Sequence, residues 1–222
     1  MSSVIAVIGA GPGIGTAVAR RFCSSGFSAA VLSRGKSAVA AAETLTQDGF
    51  SAKAFEVDAG SAASIGDALV RVHKDLGPVD VLVYNAAAVT QALPTELGID
   101  QLLHDFKIGV AGALAAAQTV APHMIEKGSG TILFTGGGFA HRPIAVLTSL
   151  GIEKAAIRNL AFSLAEELTP KGIRVGTVTV LGLVKPGTAF DPGRIAEKYW
   201  AVHQDRSGAL GVDVPFSGTD AA

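Results

Sequence analysis

Short runs of β-branched and aliphatic residues alternate along this chain with longer stretches in which small apolar residues recur at helical spacing. Val4–Ile8 opens the series, and residues 28–32, 52–57, Val79–Tyr84, 131–135, Ile173–Val180 and 212–216 continue it. Between these strands the period lengthens, which predicts helices over 14–25, 36–47, 61–76, 99–127 and 150–168, with a short amphipathic helix over 194–203. Gly26, Asp48-Gly49, Gly77-Pro78 and Thr169-Pro170 with Gly172 supply the stops. Strands that read as unbroken Val/Ile/Ala runs are buried on both faces, as in parallel sheets. The strict alternation predicts an α/β fold of the Rossmann type: doubly wound, with a mostly parallel seven-stranded sheet and helices on both faces.

No internal repeat or linker divides residues 1–222, so a single domain is expected. The tail changes character at Lys185-Pro186-Gly187 and Asp191-Pro192-Gly193. Following strand six of a doubly wound sheet, residues 182–210 are expected to cover the substrate crevice.

Composition narrows the class. A chain of 222 residues that is 49% hydrophobic and 17% charged, with 27 glycines, has a compact interior rich in small residues. Eighteen basic residues against nineteen acidic ones give a net charge of −1, so neither nucleic acid nor a membrane is expected as a partner. The uncharged stretch 108–122 is short for a bilayer span and reads as a buried helix. Cys23 is the only cysteine, which excludes an intrachain disulfide. With a strand beginning at Val4 and no basic leader, a cytoplasmic protein is expected. The five histidines show no ligand spacing with carboxylates, and no metal is expected.

Candidate chemistry begins directly after the first strand. Gly9-Ala10-Gly11-Pro12-Gly13-Ile14-Gly15 opens a helix, and in that setting the glycines permit a tight turn and close approach of backbone to a pyrophosphate. The helix N-terminus adds N–H donors and a favourable dipole. Gly9, Gly13, Ile14 and Gly15 are therefore cofactor-binding candidates. An acidic residue at the end of strand two would hold the ribose 2′-hydroxyl of NAD, and this chain has Ser33-Arg34-Gly35-Lys36 instead. Ser33 removes a repelling carboxylate and Arg34 can bind a 2′-phosphate, so NADP(H) is expected in preference to NAD(H). Asp58 suits either a hydrogen bond to the adenine amino group or a turn in Asp58-Ala59-Gly60-Ser61. Asn85, opening Asn85-Ala86-Ala87 after strand four, can fix the crossing loop beside the cofactor ribose.

On the glycine loop, the Asn85-Ala86-Ala87 turn, Lys154 and the Ile173-Arg174-Val175 strand, the chain resembles a short-chain dehydrogenase/reductase from about Val4 to Val184. It departs from that family at Ile8, where threonine is usual, and at Ala87, where glycine is usual. The resemblance implies a catalytic serine, a tyrosine four residues before a lysine, and an asparagine in the long helix. Alignment on Lys154 puts Leu150 at the tyrosine place, Gly137 at the serine place and Gly109 at the asparagine place, so the chain reads as an atypical member. Tyr84 and Tyr199 are the only tyrosines and neither precedes a lysine by four. Lys154, as the family lysine, is expected to hold the nicotinamide ribose.

A developing alkoxide still needs a donor. His141 can titrate near neutral pH, and Ser149 adjoins the tyrosine place; each also has an ordinary reading, as a surface histidine and as the N-cap of a helix starting at residue 150. Gly136-Gly137-Gly138 is either an oxyanion-type nest or a loose loop. The leading expectation is an NADP(H)-dependent oxidoreductase acting on a small carbonyl or alcohol. The alternatives are a non-catalytic NADP(H)-binding sensor or partner subunit, and a redox-neutral enzyme on the same fold. The resemblance further implies a homodimer or homotetramer through helices 99–127 and 150–168.

Overall fold

The computed structural model describes residues 2–219. Seven strands form one sheet: β1 (Val4–Ile8), β2 (Ser28–Ser33), β3 (Ala52–Glu56), β4 (Val79–Tyr84), β5 (Gly130–Gly137), β6 (Ile173–Val180) and β7 (Asp213–Phe216). Their order is β3-β2-β1-β4-β5-β6-β7, with every pair parallel. The doubly wound sheet expected from the alternating pattern is present, and it is parallel throughout.

Strand side chains sort by the two-residue period. Ala6, Ile8, Leu82, Tyr84, Ile132 and Phe134 point to the face covered by α3 (Ala62–Leu76), α5 (Gly112–Lys127) and α6 (Thr148–Leu168). Ile5, Val7, Val81, Val83 and Leu133 point to the other face, covered by α1 (Ile14–Cys23), α2 (Lys36–Gln47) and α7 (Pro192–Gln204). All five residues of β1 are buried, which is why its sequence is apolar without alternation. Each fully buried Val, Leu, Ile or Phe contributes roughly 1.5–3 kcal/mol relative to exposure.

The helix expected over 99–127 is α4 (Ile99–Phe106) continued into α5 through a π-helical turn, Lys107–Ala111. Within that turn the Ile108 carbonyl accepts a hydrogen bond from the buried Tyr84 hydroxyl at 2.5 Å. This segment is long and apolar enough to cross a membrane by length and composition, and 56% of its most apolar window is buried inside the fold.

Two expectations need correction. α6 starts at Thr148, behind Leu147 and with no side-chain cap, so Ser149 lies inside the helix and is not its N-cap. Gly136 and Gly137 are not a nest or a loose loop: they pair with Thr179 and Val180 at the end of β5, and only Gly138 enters the following 3₁₀ turn. Within residues 182–210, α7 buries Ile195, Ala196, Tyr199 and Val202 in the core. Residues 181–191 remain as the stretch leaving the carboxyl end of β6.

Candidate functional site

The sheet reverses direction of growth between β1 and β4, and a crevice opens at the carboxyl ends of those strands. Gly9 ends β1 with φ +87°, and a Cβ there would overlap the Ala86 amide and lie 2.8 Å from its Cα. Only glycine lets the β1 and β4 loops cross so closely. Asn85 locks the crossing: its N–H donates to the Ile8 carbonyl and its Nδ2 to the Gly9 carbonyl, both at 2.8 Å. Gly11 and Gly13, by contrast, face open space within 4 Å. Behind them α1 begins without a side-chain cap, so its first N–H groups are not claimed by one.

A cavity of about 340 Å³ at this point is lined by Gly9, Gly11, Ser33, Arg34, Asp58 and Asn85 among others. The structure thus gathers most of the cofactor candidates around one space. Ser33 Oγ is buried there without a hydrogen-bond partner, and a buried orphan hydroxyl of this kind is costly until a ligand satisfies it. Arg34 is exposed beside it. Asp58 lines the cavity and makes the turn, its Oδ1 accepting from Gly60 N–H at 3.0 Å. Gly13 borders a neighbouring groove of about 810 Å³ with Arg20, Lys36 and Pro192; Ile14 and Gly15 form the start of α1. The residues present fit a dinucleotide with its phosphates on the α1 N-terminus.

Lys154 reaches the same end of the sheet from α6. Its Nζ donates to the Thr135 carbonyl at 2.8 Å, and its stem would lie 3.4 Å from a Cβ on Gly137. Burial lowers the Lys154 pKa to about 8, offset in part by Glu153. Thr135 links this lysine to both halves of the site. Its hydroxyl donates to Asn85 Oδ1 at 2.8 Å, which leaves the Tyr199 hydroxyl to donate to Thr135 Oγ1 at 2.6 Å. Thr135 and Tyr199 lie 64 residues apart, and nothing in their spacing shows that they meet.

Leu150, one helical turn before Lys154, is 8% exposed. Ser149 is fully buried and its hydroxyl donates to Asp105 Oδ2 at 2.6 Å, while Gln101 donates to Oδ1 at 2.8 Å. Burial alone would raise the Asp105 pKa; hydrogen bonds from Ser149, Thr90 and Gln101 outweigh it and hold the carboxyl below its ordinary value. His141 stands elsewhere, on the wall of a cavity of about 900 Å³ with Phe139, Ile144, Leu181 and Leu183. Its Nε2 lies 3.3 Å from Asp213, which also accepts from Arg158 at 2.7 Å and from Thr179 at 2.5 Å. Asp213 and Asp105 went unnoticed in the sequence because their partners are 34 to 72 and 4 to 44 residues away in the chain and only the fold assembles them.

A glycine-turned strand–helix junction at the reversal of a parallel sheet, with an orphan hydroxyl and an arginine at the end of the next strand, defines a dinucleotide-binding α/β protein. A family model described as short chain dehydrogenase matches residues 3–191. The chain is 28% identical over 204 residues to the 2,3-dihydro-2,3-dihydroxybenzoate dehydrogenase of Bacillus subtilis, covering 91% of this chain and 74% of that one. It is 33% identical over 181 residues to the pig dehydrogenase/reductase SDR family member 4, covering 78% and 62%. Among solved structures, a variant of a Serratia marcescens short-chain dehydrogenase/reductase superposes with a TM-score of 0.86 at 26% identity, over 99% of this chain and 98% of that one. A variant of the actinorhodin polyketide ketoreductase, solved with NADPH, shares the fold with a TM-score of 0.90 at 23% identity, over 98% and 96%. The chain belongs to the short-chain dehydrogenase family, whose members are oxidoreductases that bind a nicotinamide cofactor.

Proposed function

We propose that this protein is an NADP(H)-dependent oxidoreductase for a small carbonyl or alcohol, working with a reduced catalytic set. The observation that carries the cofactor choice is the orphan Ser33 hydroxyl next to exposed Arg34, where a carboxylate would repel a 2′-phosphate. In this reading the α1 N-terminus holds the pyrophosphate, Asp58 accepts from the adenine amino group, and Asn85 keeps the two loops in register. Lys154 holds the nicotinamide ribose. The bound nicotinamide supplies or accepts the hydride.

Leu150, Gly137 and Gly109 occupy the places of the family tyrosine, serine and asparagine in this reading, so the proton must come from another group. Of the two candidates, His141 is favoured. It lines a cavity large enough for a substrate and is oriented by Asp213, whereas the Ser149 hydroxyl is already committed to Asp105. The burial of aliphatic Leu150 favours one rival, a sensor or partner subunit that binds NADP(H) without turnover. Exposed Leu114, Ile152 and Phe162 on α5 and α6 support association of copies into a homodimer or homotetramer through those helices.

Thermal unfolding with NADPH and with NADH tests the reading. Ligand at about 100 times its Kd stabilises the native state by roughly 2.7 kcal/mol, and NADPH is expected to give the larger rise in Tm. Ser33→Asp with Arg34→Ala should remove that preference by weakening NADPH about 10- to 100-fold, the worth of one charge-assisted bond. No rise with either nucleotide would sink the proposal. A rise with NADPH, but no NADPH oxidation with any carbonyl, would favour the sensor.

A further inference from the structure

Beside Lys154 lies a second buried ionisable group that the cofactor reading leaves unused. Glu153 is 1% exposed, its Oε1 has no hydrogen-bond partner, and its Oε2 accepts only a long bond, 3.4 Å, from Ala88 N–H. A carboxylate so poorly satisfied in the interior takes up a proton instead.

The room for this side chain comes from Gly109. A Cβ on Gly109 would overlap the Glu153 carboxyl and come within 2.8 Å of Glu153 Cγ. Gly109 lies in the π-helical turn, at the place aligned with the family asparagine. An asparagine side chain at 109 and glutamate at 153 therefore exclude each other. The geometry points to Glu153 as the successor of that asparagine, a buried carboxylic acid packed over the π turn and adjoining Lys154, whose charge it offsets when ionised. It acts through the lysine and is a positioning residue.

The groups facing it are few. Lys154 adjoins it on α6, Asp105 approaches from α4, Tyr84 from β4, and the Ala88 amide from the loop after β4. Burial, opposed by Lys154 and the Ala88 amide, pushes the Glu153 pKa up to about 7. Protonated, Glu153 leaves the Lys154 ammonium uncompensated, the state that best stabilises an oxyanion nearby. Ionised, it compensates that charge and binds the lysine proton more firmly.

This assignment rests on the oxidoreductase reading for its use in turnover, but not for its test, which needs neither cofactor nor substrate. NMR of ¹³Cε-lysine in the cofactor-free protein, with the Lys154 signal assigned through Lys154→Met, follows the lysine titration directly. Glu153→Gln is expected to lower the Lys154 midpoint by roughly one pH unit. In parallel, Gly109→Asn is expected to lower Tm by roughly 5 °C through overpacking, and to cost little when combined with Glu153→Ala. A Gly109→Asn chain that fails to fold alone and recovers with Glu153→Ala gives the same answer. An unmoved Lys154 titration, or an equal loss of Tm in both backgrounds, overturns the assignment. If both results hold while NADPH neither binds nor turns over, the oxidoreductase reading falls and the Glu153–Gly109 pairing stands.

Discussion

The two halves of the crevice are built by different rules. On the β1–β2 side the residues are fixed by backbone geometry: Gly9 crosses against Ala86, Asn85 bridges the loops, and Ser33 and Arg34 end β2 around an open cavity. On the β5–α6 side the positions nearest Lys154 are filled by Gly137, Leu150 and Glu153, with a buried carboxyl where space over Gly109 allows it. The first half is an open cavity framed by backbone; the second packs side chains around a buried lysine. The two halves are joined by the Thr135–Asn85 and Lys154–Thr135 hydrogen bonds and by the long Ala88–Glu153 bond.

The sharpest way to break that contrast is to rebuild the second half. Leu150→Tyr with Gly137→Ser returns a proton donor and a carbonyl-orienting hydroxyl beside Lys154, and a Cβ at 137 meets the Lys154 stem at an ordinary 3.4 Å. General acid catalysis of this kind is worth about 10²–10⁴-fold, and kcat/KM for carbonyl reduction is expected to rise by that order with NADPH affinity unchanged. Steady-state kinetics on a panel of small carbonyls decides it. No gain would mean that the crevice no longer presents a carbonyl to Lys154, and that the two halves differ in more than their donors.

Within the first half, two glycines of one loop should behave in opposite ways. Gly9→Ala forces a Cβ into the Ala86 backbone at positive φ, and is expected to cost roughly 3 kcal/mol or more in stability. Gly13→Ala meets nothing within 4 Å and has φ −102°, so its Tm should stay near wild type while its nucleotide affinity drops, because the added methyl stands where a phosphate approaches. Urea unfolding and NADPH titration of both variants separate a glycine kept for the fold from one kept for the ligand.

How far the sequence reaches follows the same division. The sheet, its helices and the loop residues that line the β1–β2 cavity were legible because each depends on local pattern: β1 is apolar without alternation, Gly9–Gly15 sits between strand and helix, and Ser33-Arg34 follows strand two directly. The start of α6 was misread by two residues because no capping side chain marks it; Thr148 follows Leu147. The second half was legible only as departures from a family pattern. Its working contacts are long-range: Tyr199 to Thr135, Ser149 to Asp105, Glu153 over Gly109, His141 to Asp213. No periodicity announces a glutamate that fills the space of a side chain missing from another helix.

A pH-dependent stability difference is the most diagnostic of that hidden half. Folded Glu153 keeps its proton up to about 7, whereas an unfolded glutamate loses it near 4.5. Between those values the folded chain binds more protons than the unfolded chain, so stability falls as pH rises. His203 opposes this in the same window: burial lowers its pKa to about 4 from 6.5, the folded chain binds fewer protons, and stability rises with pH. Total stability therefore hides both, and the difference between wild type and Glu153→Gln isolates the glutamate. The stability of wild type relative to Glu153→Gln is expected to fall by at most about 1.4 kcal/mol per pH unit between pH 4.5 and 7, read from urea unfolding at stepped pH. Ser33→Ala, in the nucleotide half, removes no titrating group, and its difference from wild type should stay level over the same range. A level difference for Glu153→Gln as well would mean a carboxylate ionised throughout, and the second half would then have no proton to lend.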